Sequence, residues 1–230
     1  MTGSFVSPAT RQRVRDLATP IARALGRLGL TPNALTLIGF VGTCIAAAAA
    51  ASQSWLIAGV LVILFGIFDL FDGTLARATG RESKFGAFLD STLDRAGEAV
   101  VYLGIAIGCI AGGFDLGAVF AAAAMGAAFM VSYTRAKSES LGFTPGTGMA
   151  NIGLAPREVR IAILALGLLV TPSPLIQPMP TGPAGEICID SCLAPIPGGM
   201  LTVSLAVIAI LATITTAQRI LHARAQSREG

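Results

Sequence analysis

The sequence predicts an all-α integral membrane protein: six transmembrane helices preceded by an interfacial amphipathic helix. Three observations carry that expectation. Of 230 residues, 53% are hydrophobic and only 13% charged, where a soluble domain of this size carries about 25% charged residues. The apolar residues gather in runs close to the roughly 20 that a helix needs to cross the hydrocarbon core. The 16 Lys and Arg residues all fall on or near one side of the resulting topology, the positive-inside pattern.

Residues 1–32 read as a cytoplasmic arm. Within 10–30, Val14, Leu17, Ile21, Leu25 and Leu28 recur at steps of three or four, with Arg11, Arg13, Arg15, Arg23 and Arg27 between them. Such a helix lies on the inner leaflet, its arginines among anionic headgroups; an ordinary basic anchor without substrate contact would look the same. The arm fits a membrane surface better than a duplex, so no nucleic-acid partner is expected. No cleavable signal is expected either, because the first apolar run is long enough to remain as a span.

The six spans fall at about 33–51, 55–75, 85–110, 116–133, 159–170 and 200–218, the fifth cut short by Pro172 and Pro174. They make one catalytic domain, 33–218, followed by a basic cytoplasmic tail, 219–230. The outer turns at 52–54, 112–115 and 171–199 contain no Lys or Arg. Both termini are therefore expected in the cytoplasm, with the protein in the cell membrane. Cys44 and Cys109 lie inside spans and read as packing residues. Cys188 and Cys192 share the long outer loop, where a disulfide requires an oxidising compartment. A metal site there has no neighbouring His, and the one histidine, His222, lies in the polar tail.

Charge inside a span is expensive and marks function by default. Here four carboxylates stand at the inner ends of spans two and three. The chain reads Asp69-Leu-Phe-Asp72-Gly73-Thr-Leu-Ala76-Arg77, then eight residues, then Gly86-Ala-Phe-Leu-Asp90-Ser-Thr-Leu-Asp94. Asp69 and Asp72 share a helix face, as do Gly86, Asp90 and Asp94, and antiparallel spans would let the two stripes face each other. Four facing carboxylates repel in a low dielectric. Two hard divalent cations relieve that repulsion, and oxygen-only donors favour Mg²⁺ or Mn²⁺ over zinc. A solvated loop paired with Arg77, Arg81, Lys84 and Arg95 leaves Asp90 unexplained. A cation transporter would spread its acids across the bilayer depth instead of gathering them at one leaflet.

These residues resemble the signature of the CDP-alcohol phosphotransferase family, D-x2-D-G-x2-A-R-x8-G-x3-D-x3-D, at every one of its fixed positions. The resemblance implies transfer of a phosphatidyl-type group from CDP-diacylglycerol to an alcohol. It implies that Asp69, Asp72, Asp90 and Asp94 hold two metal ions, with Asp94 as general base. Gly73, Arg77 and Ser83, with Pro32, Asn33, Ala34 and Leu35 of a helix-opening Thr31-Pro32-Asn33 motif, would contact the CDP-lipid. It also implies a homodimer.

The acceptor should be read by the second cytoplasmic loop. Arg135 and Lys137, with Arg157 and Arg160, could converge on a water-soluble alcohol phosphate, although the positive-inside rule alone would also place them there. The run Ser132-Tyr133-Thr134-Arg135-Ala136-Lys137-Ser138-Glu139, followed by Arg157-Glu158-Val159-Arg160, resembles the branch of the family that uses inositol 1-phosphate. So does 30–39, which ends in Gly39 where glycerophosphate-using members often carry Arg. One departure stands against it: 161–218 contains no Lys or Arg, while inositol-phosphate users employ a further basic residue late in the chain. Glycerol 3-phosphate or another alcohol therefore stays open as the acceptor.

Overall fold

The structure, a computed structural model, describes residues 19–143, 152–173 and 198–228. Arg11, Arg13 and Arg15 of the arm, and Cys188 and Cys192 of the outer loop, lie outside the described residues. Helix α1 covers 19–27. It is followed by α2 (Pro32–Ala51), α3 (Trp55–Thr79), α4 (Lys84–Ala111), α5 (Asp115–Ser140), α6 (Arg157–Val170) and α7 (Gly199–Gln226). The described residues contain no strand.

Local chemistry sets the helix ends nearest the acids. Thr31 caps α2, its hydroxyl accepting the Ala34 N–H at 3.2 Å, and Pro32 occupies the first turn, where its missing N–H is not needed. Ser83 caps α4 in the same way, through the Gly86 N–H at 2.9 Å. Between them α3 stops at Gly80, whose φ of 62° is a left-handed conformation that glycine adopts without strain.

The six helices α2 to α7 close a ring. α2 packs on α3 and α4, α4 on α5, α5 on α7, α7 on α6, and α6 on α3. α3 and α4 share no comparable contact, and neither do α4 and α6. The interior cleft lies among these helices.

Burial is inverted relative to a soluble protein. Many buried side chains are small, among them Ala46, Ala47, Ala50, Ala58, Ala121, Ala124 and Ala128, while Val41, Ile45, Val60, Leu64, Leu103, Ile107 and Ile210 are exposed. Small residues let backbones approach where lipid supplies no hydrophobic drive. The closest approach joins α2 and α4. A Cβ added at Gly104 or Gly108 would overlap the carbonyl oxygen of Ala47 or Ala50 respectively. Gly104→Val should therefore force the pair apart at about 1–3 kcal/mol, lowering the thermal midpoint in detergent by about 3–10 °C. An unchanged midpoint would show that the two helices do not meet there.

Four helices, α2, α3, α5 and α7, are long and apolar enough to cross a membrane, as in a multi-pass membrane protein. The other two differ for separate reasons. α4 has 28 residues but carries Asp90, Asp94 and Arg95 in its first half and Glu98 just past its midpoint. α6 has 14 residues, about 21 Å against a hydrocarbon core of about 30 Å.

The stripe expected to face lipid along α1 divides. Ala22 is buried with Leu35 and Leu75, and Leu25, Leu30, Phe68 and Phe71 pack around them. Ile21 and Leu28 are exposed. Helix α1 is thus fastened to the start of α2 and the C-terminal part of α3.

Candidate active site

The two acidic stripes come together without their helices packing on each other. Asp72 of α3 is 6% exposed and accepts a hydrogen bond from the Thr36 hydroxyl of α2 at 2.7 Å, with its second oxygen turned to the Gly73 N–H. Burial strips water from Asp72, Asp90 and Asp94. Asp72 also feels the charges of Asp90 and Asp69, and Asp94 those of Asp69 and Asp90. α2 supplies the floor between them: Thr36, Phe40 and Thr43 line one cleft with Asp69, Asp94 and Glu98.

Arg157, at the start of α6, enters that cleft. Its Nη2 lies 2.8 Å from Asp69 Oδ2 and its Nη1 2.8 Å from Asp94 Oδ2. One guanidinium thus joins the acids of α3 to those of α4. Among the described residues no three carboxylates close on a single ion position, and Arg157 supplies the positive charge between two of them. The donor set still fits a hard divalent cation, because all donors are oxygens and the like charges remain only partly balanced.

The residues expected at the CDP-lipid gather at the helix starts. Asn33 and Ser83 flank Gly86, where a Cβ would meet Ser83 Oγ at 3.0 Å and Asn33 Oδ1 at 3.2 Å. Gly73 lies beneath the folded-back guanidinium of Arg77, which is exposed. Pro32 and Ala34 are half-buried on the first turn of α2. Leu35 turns its side chain into the cluster with Ala22 and Leu75, so contact with a nucleotide would fall to its backbone.

The four acceptor candidates separate. Arg157 faces the acids. Arg160 is 2% exposed; its Nε and Nη2 donate to the two carboxylate oxygens of Glu98 at 2.8 Å each, and its Nη1 donates to Ala155 O at 3.0 Å. Arg135 is exposed and pairs with Glu139 at 2.9 Å, and Lys137 is exposed on the same helix end.

Two residues were not singled out from the sequence. Arg219, one position beyond the stretch that lacks basic residues, is 4% exposed. It donates to Ile152 O at 3.1 Å and to Val131 O, and it feels the charges of Arg135 and Arg160. Three arginines from α5, α6 and α7 therefore share one neighbourhood. Glu98 continues the step of four from Gly86 through Asp90 and Asp94, a signal the sequence did contain.

Known proteins resemble this chain in sequence and fold. The chain is 40% identical over 159 residues to an archaetidylinositol phosphate synthase of Pyrococcus horikoshii, covering 69% of this chain and 80% of that protein. It is 40% identical over 154 residues to a phosphatidylinositol phosphate synthase of Cutibacterium acnes, covering 66% and 72%. The fold matches the crystal structure of Mycobacterium tuberculosis phosphatidylinositol phosphate synthase with CDP-DAG bound, at a TM-score of 0.71 and 27% identity, over 90% of this chain and 94% of that one. The same synthase in complex with manganese and citrate gives 0.70 at 28% identity, over 90% and 88%. Residues 29–223 match the CDP-alcohol phosphatidyltransferase model, and the chain belongs to that family.

Proposed function

We propose that this transferase moves the phosphatidyl group of CDP-diacylglycerol to a hydroxyl of inositol 1-phosphate and releases CMP. The observation that carries the reading is a cleft lined by Asp69 and Asp94 and bridged by Arg157, with Asp72 and Asp90 near enough for the charges of the four acids to act on one another. Relatives named archaetidylinositol phosphate synthase and phosphatidylinositol phosphate synthase support the acceptor. A Cβ at Gly39 would come within 3.2 Å of Asp69 Oδ1, so a larger residue there would crowd that carboxylate.

On this reading Asp69, Asp72, Asp90 and Asp94 hold two divalent ions, Mg²⁺ or Mn²⁺. When bound, such a pair neutralises the diphosphate and the charge growing on the leaving oxygen. The protein does the rest. Asn33, Ser83, Gly73 and Arg77, with the first turn of α2, seat the CDP moiety. Arg135, Lys137, Arg157 and Arg160, joined by Arg219, seat the acceptor phosphate, and Arg is suited to bidentate phosphate contact. Asp94 takes the hydroxyl proton as the oxygen attacks the lipid-side phosphorus in line. The bond to CMP breaks, and CMP leaves with its electron pair. The cleft faces the cytoplasm of the cell membrane, six helices span, both termini are cytoplasmic, and the enzyme is a homodimer.

The test is CMP release by purified protein with CDP-diacylglycerol and Mg²⁺, offering inositol 1-phosphate, glycerol 3-phosphate, serine or free inositol. Release with inositol 1-phosphate alone, abolished by EDTA and restored by Mg²⁺ or Mn²⁺, is expected. Release with glycerol 3-phosphate instead would overturn the acceptor, and release in EDTA would overturn the metal role.

A further inference from the structure

We infer that Glu98 is a positioning residue that couples the acceptor site on α6 to the catalytic acids on α4. The inference rests on the acceptor reading above.

Glu98 lies one turn beyond Asp94 on the same face of α4. Its two oxygens grip Nε and Nη2 of Arg160 at 2.8 Å each, the fork geometry in which a carboxylate holds a guanidinium most firmly. The Ala155 carbonyl takes Nη1. A guanidinium has five N–H donors. Three are engaged here, so one on each terminal nitrogen is left, held in a fixed direction. Glu98 also acts on Arg157, and both line the cleft with Asp69 and Asp94.

The packing gives this pair its weight. α6 rests on α3 and α7 and makes no comparable contact with α4. Across the cleft the two helices are joined by ion pairs, Arg157 to Asp94 and Arg160 to Glu98. The Arg157 pair involves a candidate base and metal ligand, so ligands at the acids must compete with it. The Arg160 pair is free of that competition and nearly sealed from water, at 2% and 13% exposure. It is therefore the link that sets the distance between the acceptor's phosphate and the base that deprotonates its hydroxyl.

The test is steady-state kinetics on Glu98→Gln, Glu98→Asp, Arg160→Ala and the double variant Glu98→Gln/Arg160→Ala. Wild type is assayed first across the acceptor panel, and the variants use whichever acceptor it accepts, so an error in acceptor identity shows in wild type alone. Glu98→Gln should raise the acceptor KM by about tenfold or more, the scale of a lost charge-assisted hydrogen bond, with the CDP-diacylglycerol KM changed by less than about threefold. Glu98→Asp, which keeps the charge, should recover part of the loss. The double variant should be no worse than Arg160→Ala, because both act through one contact. Equal shifts in both KM values, or additive effects in the double variant, would mean that Glu98 only supports the fold. A lower acceptor KM in Glu98→Gln would mean that its charge opposes the acceptor, which also overturns the inference. If Glu98→Gln does not yield folded protein, Glu98→Asp decides through the same split between the two KM values.

Discussion

Asp94→Asn is expected to lower turnover by about 10²–10⁴-fold, the usual contribution of a positioned general base, while CDP-diacylglycerol still binds. Asparagine keeps the shape of the side chain and one carbonyl oxygen. That oxygen can still accept from Arg157, which lies 2.8 Å from Asp94 Oδ2. What it loses is the capacity to take a proton. Asp69, Asp72 and Asp90 remain, so at saturating Mg²⁺ the donor's diphosphate keeps most of its seat. The measurement is kcat at saturating donor and acceptor, beside equilibrium binding of the CDP-lipid. Turnover within about tenfold of wild type would place the base elsewhere, since so small a loss falls below what general-base catalysis supplies. Loss of donor binding in the same variant would instead make Asp94 chiefly a metal ligand.

How far the sequence reaches can be read from the helices themselves. The apolar runs place one end of each helix well: the expected start at 55 and end at 51 match α3 and α2. At the opposite end three helices run on. The second span was expected to stop at 75 and α3 ends at Thr79; the fourth was expected to stop at 133 and α5 ends at Ser140; the last was expected to stop at 218 and α7 ends at Gln226. Hydropathy marks where the lipid stops, whereas backbone hydrogen bonding continues into water on residues such as Arg, Lys and Glu, which favour helix.

The acids and their facing stripes were legible because spacing along a helix is a local property. The partners of the arginines were not. Arg157 and Arg160 are three apart and looked like two members of one phosphate pocket. The ring of packing aims one at Asp69 and Asp94 and the other at Glu98. Arg219 was passed over for a related reason. It reaches its neighbours only because α5 and α7 pack side by side, and no local pattern announces that.

Arg157→Met should make the protein depend on divalent ions for its stability. In wild type the guanidinium answers Asp69 and Asp94 from 2.8 Å. Methionine fills much the same volume with no charge, leaving the acids of α3 and α4 facing one another. Removing one partner of a fully buried pair costs about 3–5 kcal/mol. Here the side chains of Arg157, Asp69 and Asp94 are 34%, 23% and 19% exposed, so solvent screening reduces that to about 1–2 kcal/mol. At this chain length the thermal midpoint in EDTA should fall by about 2–8 °C. Mn²⁺ should then raise the midpoint more in the variant than in wild type. A cation entering the wild-type cleft must displace Arg157 from Asp69 and Asp94, whereas in the variant both carboxylates are free to bind it. Ligand-linked stabilisation grows with affinity at a fixed ion concentration, so the difference between the two Mn²⁺ shifts measures the competition. Turnover should nevertheless fall if, as proposed, Arg157 also meets the acceptor phosphate. Equal Mn²⁺ shifts in both proteins would show that Arg157 does not compete with a cation for Asp69 and Asp94, and its pairs with them would then be structural alone.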